Sequence, residues 1–281
     1  MSYAPVAFDA YCRRIGFDGP LTPTLDTLAQ LIERHAATIA FENIDVLAGR
    51  VPRLDLASLQ QKIVQGRRGG YCFEQNSFLL AALKQLGFTA VGLEARVRAG
   101  VPADVITPRT HMALRITLDG GDYLADVAFG GLAPTTPLQL AGNGTQRDAH
   151  GAYRFVDVGA DRLLQCETHE GWTDCYRIHT SEPQAIDYEM ANWFVATNPK
   201  AMLRHNLLVA RSVLGGRLTL FNNKLSLRKS TAQPEETTLG TRAEFADTLA
   251  DAFGLQIDAG DLDAVMAVID DKAGLARSPE S

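Results

Sequence analysis

The hydrophobic pattern of the chain changes its period near residue 90, and this change restricts the fold more than any other feature. Before residue 90, apolar side chains recur at helical intervals, as in "TPTLDTLAQLIERHAATIAF" at residues 22–41, which predicts amphipathic helices. After residue 90 they alternate, as in "HMALRITLDGGDYLADVAF" at residues 111–129, which predicts a hairpin of two strands. The regular strand–helix alternation of a nucleotide-binding sheet is absent, so the sequence predicts an α+β fold.

The same pattern predicts three regions. Residues 1–90 are predicted to be helical, and residues 91–190 are predicted to form short strands at the spacing of a small antiparallel barrel or sandwich. Residues 191–281 mix helices with another pair of strands. The tail "ARSPES" at residues 276–281 is predicted to be disordered.

Polar residues and glycines mark where the predicted helices begin and end. Thr22 or Thr24 is suited to cap the first long helix, and Asp55 or Ser58 is suited to cap the next. Gly87 occupies the usual position of a glycine that follows a helix.

The composition excludes several classes of protein. The formal charge of −6 argues against general binding to nucleic acids or anionic membranes. No apolar run approaches the roughly 20 residues that span a bilayer, and the N-terminus does not resemble a signal peptide. The chain has only 4 cysteines, too few for a disulfide framework at this length. We therefore expect a cytoplasmic protein with reduced thiols.

One segment is basic although the protein as a whole is acidic. Residues 191–234 contain no Asp or Glu, which suggests a locally bound anion such as a phosphate-bearing cofactor. A solvated basic face is the other interpretation. The cations of this segment are Lys200, Arg204, Arg211, Arg217, Lys224, Arg228 and Lys229.

A single cysteine stands in an unusual place, in "QGRRGGYCFEQNSFLLAALKQLGF" at residues 65–88. Gly69 and Gly70 allow a sharp turn, and Cys72 then begins an apolar helix. The free N–H groups and the positive end of the helix dipole favour a thiolate, and the same N–H groups could stabilise an oxyanion. The alternative is a small structural thiol in a helix–helix contact.

A nucleophilic cysteine needs a base and a group that orients the base, and the predicted hairpin offers His111 and Asp126. If Gly120 and Gly121 form a two-residue turn, Asp126 lies opposite Arg115. His111 is then four residues further along, roughly 13 Å away. In that register Asp126 and Arg115 form a cross-strand ion pair. A Cys–His–Asp triad requires a bulge, a wider loop or a strong twist.

A second group of residues has the spacing of a metal site. Cys166, His169, Cys175 and His179 follow the pattern C-x2-H-x5-C-x3-H, which resembles a zinc site. The alternative is that these residues alternate by chance on two strands, with the cysteines as small core residues.

Three motifs together resemble those of the arylamine N-acetyltransferases. They are "FENIDVL" at residues 41–47, "RGGYCFEQN" at 68–76, and "HMALRI…YLADVAFGG" at 111–131. The resemblance extends from about residue 8 to at least residue 230. It implies an N-terminal helical bundle, a central antiparallel β-barrel and a C-terminal α/β lid, around a catalytic core like that of cysteine proteases.

The resemblance also implies roles for residues. Cys72 is the acetyl-accepting nucleophile, His111 its base and Asp126 the orienting carboxylate. The family requires His111 and Asp126 to touch, so we predict that the simple hairpin register is wrong. The other implied residues are Val97, Phe129 and Leu203 in the acceptor pocket, and Thr110 and Gly130 as contacts of the coenzyme.

The implied reaction is the acetyl-coenzyme A-dependent N-acetylation of arylamines and arylhydrazines. It follows a ping-pong mechanism through an acetyl-cysteine, and the basic segment is suited to meet the coenzyme A phosphates. The partners are then a small aromatic amine or hydrazine and coenzyme A, without a metal, and a homodimer is left open. The alternative is a cysteine amidase or transglutaminase-like hydrolase, which would use the same three residues.

Overall fold

The computed structural model describes residues 5–229 and 231–277, so most of the tail "ARSPES" lies outside the described residues. None of the described helices is both long and apolar enough to cross a membrane. The α-helices are α1 (Phe8–Ile15), α2 (Leu25–Thr38), α3 (Ile44–Leu47), α4 (Leu56–Leu59), α5 (Cys72–Gln85), α6 (Ala185–Thr197), α7 (Arg242–Asp247) and α8 (Ala259–Arg277). Two π-helical segments, Gln60–Gln65 and Thr248–Ala252, continue α4 and α7.

The strands form two antiparallel sheets, and their spatial order differs from their order in the chain. They are β1 (Phe41–Glu42), β2 (Thr89–Val97), β3 (Arg109–Leu118), β4 (Gly121–Ala125), β5 (Leu138–Gln139), β6 (Gln146–Asp148), β7 (Gly151–Val158), β8 (Asp161–Thr168), β9 (Gly171–Ile178), β10 (Leu208–Val213), β11 (Gly216–Phe221), β12 (Lys224–Arg228) and β13 (Glu235–Thr238). Two short 3₁₀-helices, Gly130–Leu132 and Met202–Arg204, lie between strands and helices.

The larger sheet is a nearly closed barrel of 8 strands in the order β5-β4-β3-β2-β9-β8-β7-β6. Its two edges meet through the side chain of Gln146. The amide oxygen of Gln146 accepts from the N–H of Gln139 at 2.7 Å, and its Nε2 donates to the Gln139 carbonyl at 3.0 Å. The prediction of an α+β fold with a central antiparallel barrel is confirmed.

The smaller sheet has 5 strands in the order β1-β10-β11-β12-β13. Its first strand belongs to the N-terminal region, because Phe41 pairs with Ala210 and Glu42 with Val209. Helices α7 and α8 cover it through an apolar core that includes Phe245. The N-terminal and C-terminal regions therefore share one sheet, and the division of the chain at residues 90 and 190 stays a prediction.

Helices begin at polar residues that the sequence indicates. Thr24 caps α2 by accepting the N–H of Thr27 at 3.2 Å, and Asp55 caps α4 by accepting the N–H of Ser58 at 3.0 Å. After α5, Gly87 has φ +90°, a conformation that costs a glycine little.

The β3–β4 hairpin has a different register from the simple one. Leu118 pairs with Gly121, so the turn consists of Asp119 and Gly120. Arg115 consequently lies opposite Leu124, and it forms an ion pair with Glu182. The predicted cross-strand pair of Asp126 and Arg115 is therefore wrong. Each paired residue of β3 lies opposite a residue of β4 that is two positions earlier than the simple hairpin predicts.

The basic segment does not present one free cationic face. Arg217 is buried, where it pairs with Asp148 at 3.0 Å and donates to the Tyr153 hydroxyl at 2.6 Å. Arg228 donates to the Gly131 carbonyl at 2.6 Å, and Lys229 pairs with Glu235. Part of the positive charge thus joins the two sheets.

Gly69 and Gly70 are required for close packing. A Cβ on Gly69 would lie 2.0 Å from the Ala40 carbonyl oxygen, and one on Gly70 would lie 2.9 Å from Glu74 Oε2. Neither glycine has a positive φ among the described residues. The two glycines let the chain before Cys72 lie directly against the segment that enters β1.

We predict that Gly69→Ala destabilises the protein severely. The added methyl group meets backbone rather than a movable side chain, so the free energy of unfolding should fall by at least about 3 kcal/mol. Urea denaturation followed by circular dichroism measures this loss. Gly144→Ala is the matched control, since a Cβ there meets no atom within 4 Å. Equal stability of the two variants would contradict the packing role.

Candidate active site

Cys72 is the first residue of α5, and its surroundings hold it in a defined position. Glu74 accepts the N–H of Tyr71 at 3.1 Å, and the Gln75 side chain donates to the Gly70 carbonyl at 2.5 Å. Cys72 is buried, with 5% of the residue exposed, and its Sγ lies 3.7 Å from the Thr110 carbonyl oxygen. The start of α5 is thereby fixed against the start of β3.

His111 brings the barrel to the thiol. Its Nε2 lies 2.7 Å from Asp126 Oδ2, and both side chains are buried. This contact leaves Nδ1 as the ring nitrogen available to Cys72, whose interaction with His111 helps to raise the pKa of the imidazole. Cys72, His111 and Asp126 therefore lie together, although they come from a helix, a strand and the end of the next strand.

Asp126 is held by several donors besides His111. Asn76 Nδ2 donates to Oδ1 at 3.0 Å, and the N–H of Ala128 donates to the same oxygen at 2.9 Å. Burial raises the pKa of Asp126, but the charge of His111 and these hydrogen bonds lower it more, so its pKa lies below the ordinary value. The carboxylate is ionised and its position is fixed.

Burial lowers the pKa of His111, but the Asp126 carboxylate, its hydrogen bond and the contact with Cys72 raise it, to about 10. His111 is therefore an imidazolium at neutral pH. Because the pKa in the unfolded chain is about 6.5, protonated His111 contributes its full stability below that pH. That contribution is lost as the pH rises through about 10.

Two aromatic rings enclose the imidazole. The ring centroid of His111 lies 4.9 Å from that of Phe129 and 4.6 Å from that of Tyr176, and these two rings are 4.7 Å apart. Val97 pairs with Tyr176 in the β2–β9 ladder. Of the two pocket residues that the resemblance implies, Phe129 contacts the His111 ring, and Val97 lies opposite Tyr176 on the neighbouring strand.

Thr110, Gly130 and Leu203 are the remaining predicted contacts. Thr110 precedes His111 and offers its carbonyl to Cys72, whereas Gly130 follows Phe129 with φ +54°. Leu203 lies in the 3₁₀-helix Met202–Arg204, and its carbonyl accepts from Asn43 Nδ2 at 2.6 Å. It packs against the apolar cluster that includes Cys72.

The zinc alternative finds no support. Within residues 5–229 and 231–277, no three His, Cys, Asp or Glu side chains are grouped so that they could hold a metal ion. Of the four residues with zinc-like spacing, His179 contacts Arg109 and Ser181 instead, at 2.8 and 2.9 Å.

Sequence reasoning missed two residues of the site, Asn76 and Tyr176. Asn76 lies one helical turn after Cys72, so the i, i+4 spacing within the quoted motif could have identified it. Tyr176 comes from β9, which lies near His111 because β9 pairs with β2, the strand next to β3. No local pattern indicates that pairing.

His35, in contrast, lies outside this centre. It is buried between the Tyr11 hydroxyl at 2.8 Å and the Gln75 amide oxygen at 3.0 Å. Burial lowers its pKa to about 4, although the Gln75 hydrogen bond opposes the shift. His35 is therefore neutral, and the stability it gives is lost as the pH falls from about 6.5 towards 4.

Comparison with known sequences agrees with the geometry. The model of a family described as N-acetyltransferase matches residues 24–262. The chain is 38% identical over 249 residues to an arylamine N-acetyltransferase of Escherichia coli, covering 88% of each chain. It is 34% identical over 268 residues to an enzyme of Salmonella typhimurium named arylamine N-acetyltransferase / N-hydroxyarylamine O-acetyltransferase, covering 92% of this chain and 93% of the relative.

Solved structures are equally similar. The arylamine N-acetyltransferase of Mycobacterium marinum superposes with a TM-score of 0.88 at 36% identity, covering 94% of this chain and 98% of that one. Its complex with coenzyme A gives a TM-score of 0.87 at 35% identity with the same coverage.

We predict that two histidines do not titrate between pH 6 and 8.5. His111 should remain an imidazolium and His35 neutral, because their pKa values lie at about 10 and about 4. The signals of ¹³Cε1-labelled histidine, assigned with His111→Gln and His35→Gln, report the two forms. Asp126→Asn should move the His111 midpoint into this range, whereas Asp122→Asn, on β4, should not. A wild-type His111 midpoint near 6.5 would contradict the ion pair.

Proposed function

Because the chain belongs to the arylamine N-acetyltransferase family, we propose that it transfers the acetyl group of acetyl-coenzyme A to arylamines and arylhydrazines. The acetyl group passes through Cys72, so the two substrates react in turn by a ping-pong mechanism. The observation that carries this proposal is the buried His111–Asp126 pair beside Cys72 at the start of α5. The similarity to a relative solved with coenzyme A supports the choice of acetyl donor.

In the first half-reaction, the Cys72 sulfur attacks the carbonyl carbon of the thioester. A new C–S bond forms, and the N–H groups of the first turn of α5 face the developing oxyanion. The bond to coenzyme A then breaks, and protonated His111 gives its proton to the leaving thiolate. One thioester replaces another, so the acetyl-enzyme lies close in free energy to the substrates.

In the second half-reaction, a neutral arylamine attacks the acetyl-Cys72 carbonyl. His111 takes the proton that the amine nitrogen loses as the C–N bond forms, and the Cys72 sulfur leaves as a thiolate. Asp126 stabilises the imidazolium that results, and Asn76 keeps the carboxylate in place. The enzyme returns to its starting charge state.

The acceptor and the coenzyme approach this centre between the barrel and the C-terminal region. Phe129, Val97 and Leu203 are proposed to line the apolar pocket for the aromatic ring of the acceptor. Thr110 and Gly130 are proposed contacts of the coenzyme, and the exposed cations of the basic segment are proposed to meet its phosphates. The reaction as proposed uses no metal. A cytoplasmic location and a homodimer stay predictions of the sequence.

Mass spectrometry after the addition of acetyl-coenzyme A alone tests the acetyl-enzyme. We expect one acetyl group on the peptide that contains Cys72, and its rapid loss when an arylamine is added. Cys12→Ser should behave like the wild type, because Cys12 is a half-exposed thiol of α1 outside the site. Acetyl groups on lysines, or none, would contradict the proposal. Equally rapid loss to water would support the hydrolase alternative.

Asp126→Asn should reduce kcat/KM for the arylamine roughly a thousand- to ten-thousand-fold. The amide cannot stabilise the imidazolium, so the proton transfer to His111 becomes unfavourable. Steady-state assays of N-acetylation at several pH values measure the loss. Asp122→Asn removes the same charge from a partly exposed position on β4 and should leave kcat/KM within a few-fold of the wild type. A similar loss in both variants would refute the role of Asp126.

A further inference from the structure

Three arginines from separate parts of the chain converge on the side of the N-terminal helices. Arg14 comes from α1, Arg67 from the segment that precedes α5, and Arg211 from β10. None of them takes part in an ion pair with a carboxylate in the described parts of the chain, residues 5–229 and 231–277. They are therefore cations without counter-charges.

Backbone contacts bring the three together. Arg14 Nε donates to the Ile63 carbonyl at 3.3 Å, so its guanidinium lies on the π-helical segment just before Arg67. The Arg67 carbonyl accepts from the N–H of Gln256 at 3.3 Å. Two residues earlier, a Cβ on Gly254 would lie 3.1 Å from Arg211 Nη1. The segments before α5 and after α7 thus lie together, and the charges of Arg67 and Arg211 both act on Arg14.

The site has donors that the described protein does not satisfy. Arg14 Nη2 and Arg211 Nε are buried from solvent, and neither has a hydrogen-bond partner within the described residues. Burial, together with the charges of Arg67 and Arg211, lowers the pKa of Arg14 to about 10. A buried, unpartnered guanidinium donor is costly, because arginine stays charged at neutral pH.

The neighbouring arginine shows how the same fold treats a structural cation. Arg68, next to Arg67, pairs with Glu42 at 2.9 Å and also with Asp45 and Asp261. The largely buried arginines Arg68 and Arg217 thus receive carboxylates. The three convergent arginines receive none among the described residues, although the chain carries more acidic than basic residues, 33 against 27.

We infer that Arg14, Arg67 and Arg211 form a binding site for a phosphate-class oxyanion. A doubly charged phosphate offers acceptors to several guanidinium forks at once, and it offsets the repulsion among three like charges. None of the three arginines contacts Cys72, His111 or Asp126 through any hydrogen bond between described residues. The site is separate from the reacting atoms and does not rest on the proposed function.

Thermal unfolding in inorganic phosphate against chloride, at constant ionic strength, tests the inference. The wild type should be stabilised by phosphate, and Arg67→Gln should weaken the apparent phosphate affinity about ten-fold. Arg147→Gln is the matched control, since its side chain is 70% exposed and it removes the same charge elsewhere. This control should respond to phosphate like the wild type.

Thermal unfolding without phosphate distinguishes a phosphate-binding site from a cluster of arginines that stabilises the fold. Without phosphate, Arg67→Gln should unfold at the same temperature as the wild type or higher, because it relieves repulsion. Arg211→Gln should lose the phosphate response in the same way. If Arg67→Gln keeps the full response, or unfolds earlier than Arg147→Gln without phosphate, the inference is wrong.

A second experiment distinguishes free phosphate from a phosphate group of the coenzyme as the ligand. Adenosine 3′,5′-bisphosphate replaces inorganic phosphate in the unfolding measurement, and the KM for acetyl-coenzyme A is measured in Arg67→Gln. Tighter binding of the nucleotide with a raised KM assigns the site to a phosphate of the coenzyme. Equal or weaker binding with an unchanged KM assigns it to free phosphate. Each of these two assignments also requires that Arg67→Gln lose its stabilisation by phosphate. That loss is measured by thermal unfolding and does not depend on acetyl transfer.

Discussion

The buried ion pair between Arg68 and Glu42 fixes the position of the remaining parts. Arg68 precedes the two glycines before Cys72, and Glu42 lies in β1, the strand that begins the smaller sheet. Arg68 also bonds Asp261 of α8, so one side chain joins the bundle, the sheet and the C-terminal helix. Losing one partner of a buried pair leaves an uncompensated charge, which costs more than the intact pair contributes. The network therefore specifies one arrangement of the chain around the start of α5.

The sequence predicts the elements of this fold better than it predicts their register. The change of period and the capping residues are local, and Thr24, Asp55 and Gly87 occupy the positions that their chemistry indicates. The register of the β3–β4 hairpin could not be predicted from local residues in this way. A displacement by one residue would move every side chain to the other face, but a displacement by two keeps each on its own face. The alternating pattern is identical for both turns, so it could not distinguish them.

The residues of the site also differ in whether local sequence or strand pairing determines their position. Cys72 and Asn76 follow from one helix face, whereas the contact of His111 with Asp126 depends on the hairpin register and that of His111 with Tyr176 on the β2–β9 pairing. A motif resemblance supplied the pairing of His111 with Asp126 that spacing alone opposed. For the basic segment, closeness in the chain suggested a common cationic face that the described residues do not form. Arg217 is buried and pairs with Asp148, which comes from the barrel.

The shared sheet has a mechanical consequence. Asn43, directly after β1, donates to the carbonyls of Leu203 and Asn206 and accepts the N–H of Leu208, at 2.6, 2.8 and 2.9 Å. The segment that carries Leu203 is thereby tied to the strand that packs against Gly69 and Gly70. These contacts oppose a hinged movement of the Leu203 segment away from the strand beside the two glycines that precede Cys72. A ligand larger than the site then calls for side-chain rotation or a shift of the barrel wall more than for the opening of a hinge.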